Sequence, residues 1–142
     1  MNIKWILVAA AVSTFIAGVL HLTLVSNSIG RNPWVGIFFL VGGITQIFWV
    51  LPTIKNWGRV WFCIGIAGTL VMIIMWAMTR MPDNPITGRA APINNIGIAT
   101  EIFQIIYIAA SVVIILKYTR ASIFSKDSIK DNKGQTKFQL FY

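Results

Sequence analysis

The sequence predicts an all-α fold, a four-helix transmembrane bundle, on three observations. Four apolar stretches each have the length of a membrane crossing, short polar segments separate them, and charged side chains are nearly absent within them. The stretches 5–25, 34–54, 60–78 and 96–116 each hold about 19 to 21 residues, which at about 1.5 Å rise per residue covers a hydrocarbon core of about 30 Å. In lipid every backbone polar group must find a partner within the protein, so such runs are helices rather than isolated strands. With 56% hydrophobic and 11% charged residues over 142 positions, and a mean hydropathy of +0.73, the bundle is expected to be the whole protein.

The first stretch, 5–25, follows Lys4 and contains Ala9, Ala10 and Ala11, a pattern shared with secretory signals. Its apolar run is longer than a signal core, so a retained spanning helix is expected. Ala10, Thr14 and Gly18 recur every fourth residue along it, and small residues let helices approach closely. A turn over 27–33 leads to Pro33, suited to the first turn of the second helix. That helix, 34–54, and the third, 60–78, are lightened by Gly36, Gly42, Gly43, Gly65 and Gly68 and read as a hairpin around Lys55, Asn56 and Arg59. The segment 79–95 carries Pro82, Pro85, Gly88 and Pro92. It is too long for a simple turn and too stiff for a loose linker, so it is expected to lie ordered over the outer mouth of the bundle or against a partner. The fourth helix, 96–116, precedes a basic tail, 117–142, expected to be loosely structured by itself. The apolar end of that tail, Phe138, Leu140, Phe141 and Tyr142, suits the membrane surface or another chain.

The formal net charge of +8 raises the question of nucleic acid, but its distribution points to topology instead. Lys4, Lys55, Arg59, Lys117, Arg120, Lys126, Lys130, Lys133 and Lys137 fall on one side of a four-crossing chain, and Arg31, Arg80 and Arg89 on the other. The positive-inside rule then gives up-down-up-down helices with both termini cytoplasmic. No nucleic-acid partner is expected; membrane lipids are, and bound lipids with them. Trp5, Trp57 and Trp61 would anchor the inner interface, and Trp34 and Trp76 the outer one. Cys63 is the single cysteine, which removes any internal disulfide or cysteine-based metal cluster.

Ionisable and amide side chains at hydrocarbon depth are costly and mark candidate sites. His21, Arg80, Glu101 and Gln104 are expected to meet beneath the outer loop, with Gln46 as the other deep polar side chain. Gln104 follows Glu101 by three residues, which puts both on one helix face. This cluster can be a hydrogen-bonded structural network, a metal site in which His21 and Glu101 await further ligands from a partner, or a proton, quinone or small-ligand site titrating at His21. The sequence contains no phosphate-binding glycine loop, nucleophile elbow or paired-histidine zinc motif. No catalytic residue is therefore assigned, and no cofactor is expected in this chain.

His21, then Phe38, Phe39 and Gln46, then Thr79 and Arg80, then Pro85, Gly88 and Pro92, and finally Gly97 and Glu101 resemble a family of small, uncharacterised four-helix membrane proteins. That resemblance covers roughly residues 15–105 and implies topology. The segment RMPDNPITGRAAPINNIGIATEIFQ looks like the accessory membrane subunits of archaeal ammonia monooxygenase. This second resemblance implies a membrane oxidoreductase complex whose copper sits on other chains; the lack of a self-sufficient site and the stiff outer loop lead to the expectation of a non-catalytic, structural subunit among other integral-membrane subunits. The alternative is a stand-alone membrane protein with its own ligand, proton or metal site around His21 and Glu101.

Overall fold

The computed structural model describes the backbone of residues 2–139 and the side chains of residues 2–119. Among the described residues the chain is helical, in the order α1 (Ile3–Ile29), α2 (Pro33–Phe48), α3 (Val50–Ile54), α4 (Arg59–Met78) and α5 (Asn95–Gln139). Four helical spans are long and apolar enough to cross a membrane, with α2 and α3 together making one of them. The protein is thus a multi-pass membrane protein by length and composition.

Local chemistry explains the boundaries. The Asn2 side chain accepts from the Lys4 amide at 3.1 Å and starts α1. Asn32 does the same for α2, accepting from the amides of Trp34 and Val35, with Pro33 in the first turn, where its missing N–H costs nothing. The second span runs 22 residues, as the sequence suggests, with a local irregularity at Trp49, whose backbone stays αR at φ −66° and ψ −13°. Pro52 lacks the N–H that the Phe48 carbonyl would accept, and its ring crowds that carbonyl. Thr53 braces this point, its amide and its hydroxyl both donating to the Trp49 carbonyl. The turn before α4 passes through Asn56 (φ 55°) and Gly58 (φ 109°), the latter in a region that favours glycine.

The last helix also differs from expectation. Instead of loosening after residue 116, α5 continues through Gln139, 45 residues in all and about 68 Å long. No proline follows Pro92, and the Lys, Gln and Ala of this region are good helix formers. The terminal Leu140, Phe141 and Tyr142, and the side chain of Phe138, lie outside the described residues.

In packing, α1 is the central helix, lying against both α2 and α5, while α4 packs on α5. The α1–α2 contact is close because glycines meet there. A Cβ at Gly18 would stand 2.8 Å from the Gly43 carbonyl oxygen, and one at Gly43 would stand 2.9 Å from that of Gly18. Ala10, Thr14 and Gly18 are all buried, so the small-residue stripe of α1 is used inside the chain. The pairing of α2 with α4 is looser than a hairpin would suggest. The Met72 side chain reaches Gly42, but on either side of that contact the two helices stand apart. One end of the bundle is sealed by Ile6, Phe62 and Ile114, with Ala10 and Tyr107 above them. The other end carries the 79–94 segment, tied to the α1–α2 turn by Asn32 Nδ2 donating to the Ile86 carbonyl.

Candidate functional site: a buried polar file beneath a basic vestibule

The inner face of α5 carries polar groups for most of its depth. Thr100, Glu101, Gln104, Tyr107 and Ser111 are all buried, with Gln104 and Ser111 completely so. Their spacing keeps them on one helical face. Such groups normally find hydrogen-bond partners, yet Glu101 Oε1 and both polar atoms of the Gln104 amide have none within the protein, while the Tyr107 hydroxyl lies among Ser111, Thr53 and the Trp49 indole. Opposite them, Gln46 of α2 is buried with Oε1 also unpartnered.

His21 sits on α1 at the loop end of this file. Its Nδ1 lies 2.9 Å from the Ala17 carbonyl, and a carbonyl can accept but not donate, so Nδ1 carries a hydrogen and Nε2 of the neutral ring is an acceptor. The ring packs on Phe39 at 5.5 Å between centroids, and the Gln46 amide is its side-chain partner. Thr14 Oγ1 donates to the Gln46 backbone carbonyl at 3.2 Å, fixing α2 against α1 beside this pair.

Arg80 follows the end of α4. Its Nη1 donates to Thr79 Oγ1 at 3.1 Å, its guanidinium lies 4.8 Å above the Trp76 ring, and its Nε has no partner. Burial draws the Arg80 pKa below the ordinary guanidinium value, and the negative charge of Glu101 opposes that shift. Two interactions join residues of the expected cluster: the Gln46 side chain with His21, and the electrostatic attraction between Arg80 and Glu101. Gln104 lies on the same α5 face, one turn deeper than Glu101.

Above the file the 79–94 segment is folded rather than draped. Asn84 organises it: Nδ2 donates to the carbonyls of Met81 and Arg89, and Oδ1 accepts from the Ile86 and Thr87 amides and the Thr87 hydroxyl. Ala91 N donates to the Thr79 carbonyl at 2.8 Å, returning the segment to α4. It roofs a cavity of about 430 Å³ whose lining includes Arg31, Arg80 and Arg89. Phe39, the ring neighbour of His21, also lines this vestibule.

The tryptophans divide into exposed and packed groups. Trp5 and Trp34 are 71% and 81% exposed, as interfacial anchors would be. Trp57, 45% exposed, meets Trp61 edge to face at 4.9 Å, and the more buried Trp49 donates its indole N–H to the Trp61 carbonyl, so these rings also brace the junction of α2 and α3. Sequence reasoning overlooked Tyr107 and Ser111, although their spacing from Glu101 and Gln104 signals a shared face. It also treated Arg31 and Arg89 as topological charges, because nothing in the sequence announces that the turn and the loop converge. Among the described residues no group of three or more His, Cys, Asp or Glu side chains could hold a metal ion. Compared with known proteins, the chain matches no family model, no curated protein and no solved structure.

Proposed function

We propose that this chain is an integral membrane protein whose working part is the polar file, a blind hydrated site that exchanges protons or a small polar molecule at His21 and Glu101. The observation that carries the reading is the set of buried atoms without partners on one turn of α5, at Glu101 and Gln104. Buried polar groups left open by the protein are the places where internal water or a small ligand binds. Phe39 and Arg80, each beside one member of the titratable pair, also line the vestibule, which supports entry from that end. At the other end Ile6, Phe62 and Ile114 pack together in an apolar core, which favours uptake and release over conduction. Ile6 near the start of α1 and Phe62 near the start of α4 meet Ile114 far along α5. That contact supports an up-down order, and the lysine distribution supports cytoplasmic termini.

The test is a pH titration of ¹⁵N-histidine signals and carboxyl infrared bands in nanodiscs. Reversible titration of His21 or Glu101 between about pH 5 and 8, altered by Gln104→Leu, is the expected result. Signals from both groups that stay unchanged over that range would defeat the reading.

A second reading, a non-catalytic accessory subunit of a larger membrane assembly, is favoured by the length of α5. A helix of 45 residues is more than twice as long as the hydrocarbon core is thick, and a polar helix standing in water gains little from its own propensity. A partner would supply the missing contacts. Native mass spectrometry from mild detergent that finds the chain alone at every protein concentration would exclude this second reading.

A further inference from the structure

The vestibule does not stand alone. A cavity of about 200 Å³ shares Val35, Phe39 and Thr79 with it, and a third of about 240 Å³ continues from Phe38 down the gap between α2 and α4. Chemistry changes along this passage. At the top, the charged groups in the lining are Arg31, Arg80 and Arg89, with Glu101 behind Arg80 offsetting part of its charge. Below, the walls are rings and aliphatic chains such as Trp34, Phe38, Val41 and Ile64, with Gly42, Gly65 and Gly68 leaving room between them. From Thr79 back to Gly65 is 14 residues of α4, about 21 Å, which exceeds the depth of one leaflet, about half of a 30 Å core.

We infer that the vestibule and the α2–α4 gap together bind one anionic phospholipid, its phosphate among the three arginines and an acyl chain in the gap. Planar guanidinium forks suit phosphate oxygens, and three converging arginines attract an anionic headgroup more than a zwitterionic one. A zwitterionic lipid brings an ammonium that the arginines repel. The Met72 side chain, which crosses from α4 to Gly42, is flexible enough to yield to a chain.

Native mass spectrometry of the full-length protein, offered phosphatidylglycerol or phosphatidylcholine at equal concentration, tests the inference. Phosphatidylglycerol is expected to be retained about tenfold more strongly. The double variant R31Q/R89Q is expected to abolish that preference. G68L fills space where a Cβ meets nothing within 4 Å, and it is expected to lower retention of both lipids. V41F, altering a side chain already 58% exposed beside the gap, serves the same purpose if G68L does not fold. Equal retention of the two lipids by wild-type protein would overturn the inference. So would undiminished phosphatidylglycerol binding in a folded gap-filled variant, or competition by inorganic phosphate alone that neither G68L nor V41F changes, which would mark a free-anion site.

Discussion

Gly65 shows how a single residue can decide packing around the file. A Cβ there would collide with the Tyr107 hydroxyl and the Trp49 indole, both held by neighbouring helices. Gly65→Ala is therefore expected to destabilise the protein by about 1–3 kcal/mol through overpacking, whereas Gly68→Ala, facing open space, should be close to neutral. Thermal melts in detergent distinguish the two, and equal melting temperatures would contradict the placement of Tyr107. Arg80 and Glu101 offer a second test. Removing either leaves the other charge without its opposite, so the double variant R80A/E101Q is expected to be less destabilised than the single changes sum to. A coupling of about 0.5–3 kcal/mol is expected from a double-mutant cycle, and strict additivity would mean that the two charges do not interact.

Among the elements, the loop and the irregular span are the most specific features. Asn84 is 5% exposed and closes the 79–94 segment with both ends of its amide. Asn84→Ala is expected to open that segment locally, costing about 1–3 kcal/mol, while the helices stay intact. Hydrogen exchange should then rise sharply at Ile86 and Thr87 but not in α4, and unchanged protection at those amides would refute the role given to Asn84. Pro52→Ala is expected to restore the bond to the Phe48 carbonyl and to straighten the α2–α3 junction. A lengthened distance between spin labels placed on either side of Trp49 would register that change, and an unchanged distance would shift responsibility for the irregularity from Pro52 to the Trp49–Trp61 contact.

For the whole molecule, an even number of crossings is expected to leave both termini on one face of the membrane. Fluorescent or protease-sensitive tags at Met1 and Tyr142 should report the same side, and opposite sides would remove the basis for the inner and outer assignments. The helical architecture was legible because lipid forces any apolar run of this length to satisfy its own backbone, so hydropathy alone locates the spans. The facing of the helices was not legible. Runs such as α2 and α4 are apolar all round, and without a polar stripe their pattern contains little information about which side meets which neighbour. His21 and Glu101 could be chosen from the sequence because ionisable groups are rare at such depth. Their surroundings were set by helix rotation and by the close Gly18–Gly43 approach, which bring Gln46 to His21. The vestibule lay further still from the pattern, since Arg31 and Arg89 meet through an Asn84-built loop and an Asn32 contact 54 residues apart in the chain. What the sequence by itself determined is that four helices cross a membrane and that a few polar groups go with them. The tertiary structure alone decided which of those groups touch, and where the bundle leaves space, because contacts between helices depend on rotation and distance that a one-dimensional hydrophobic pattern does not encode.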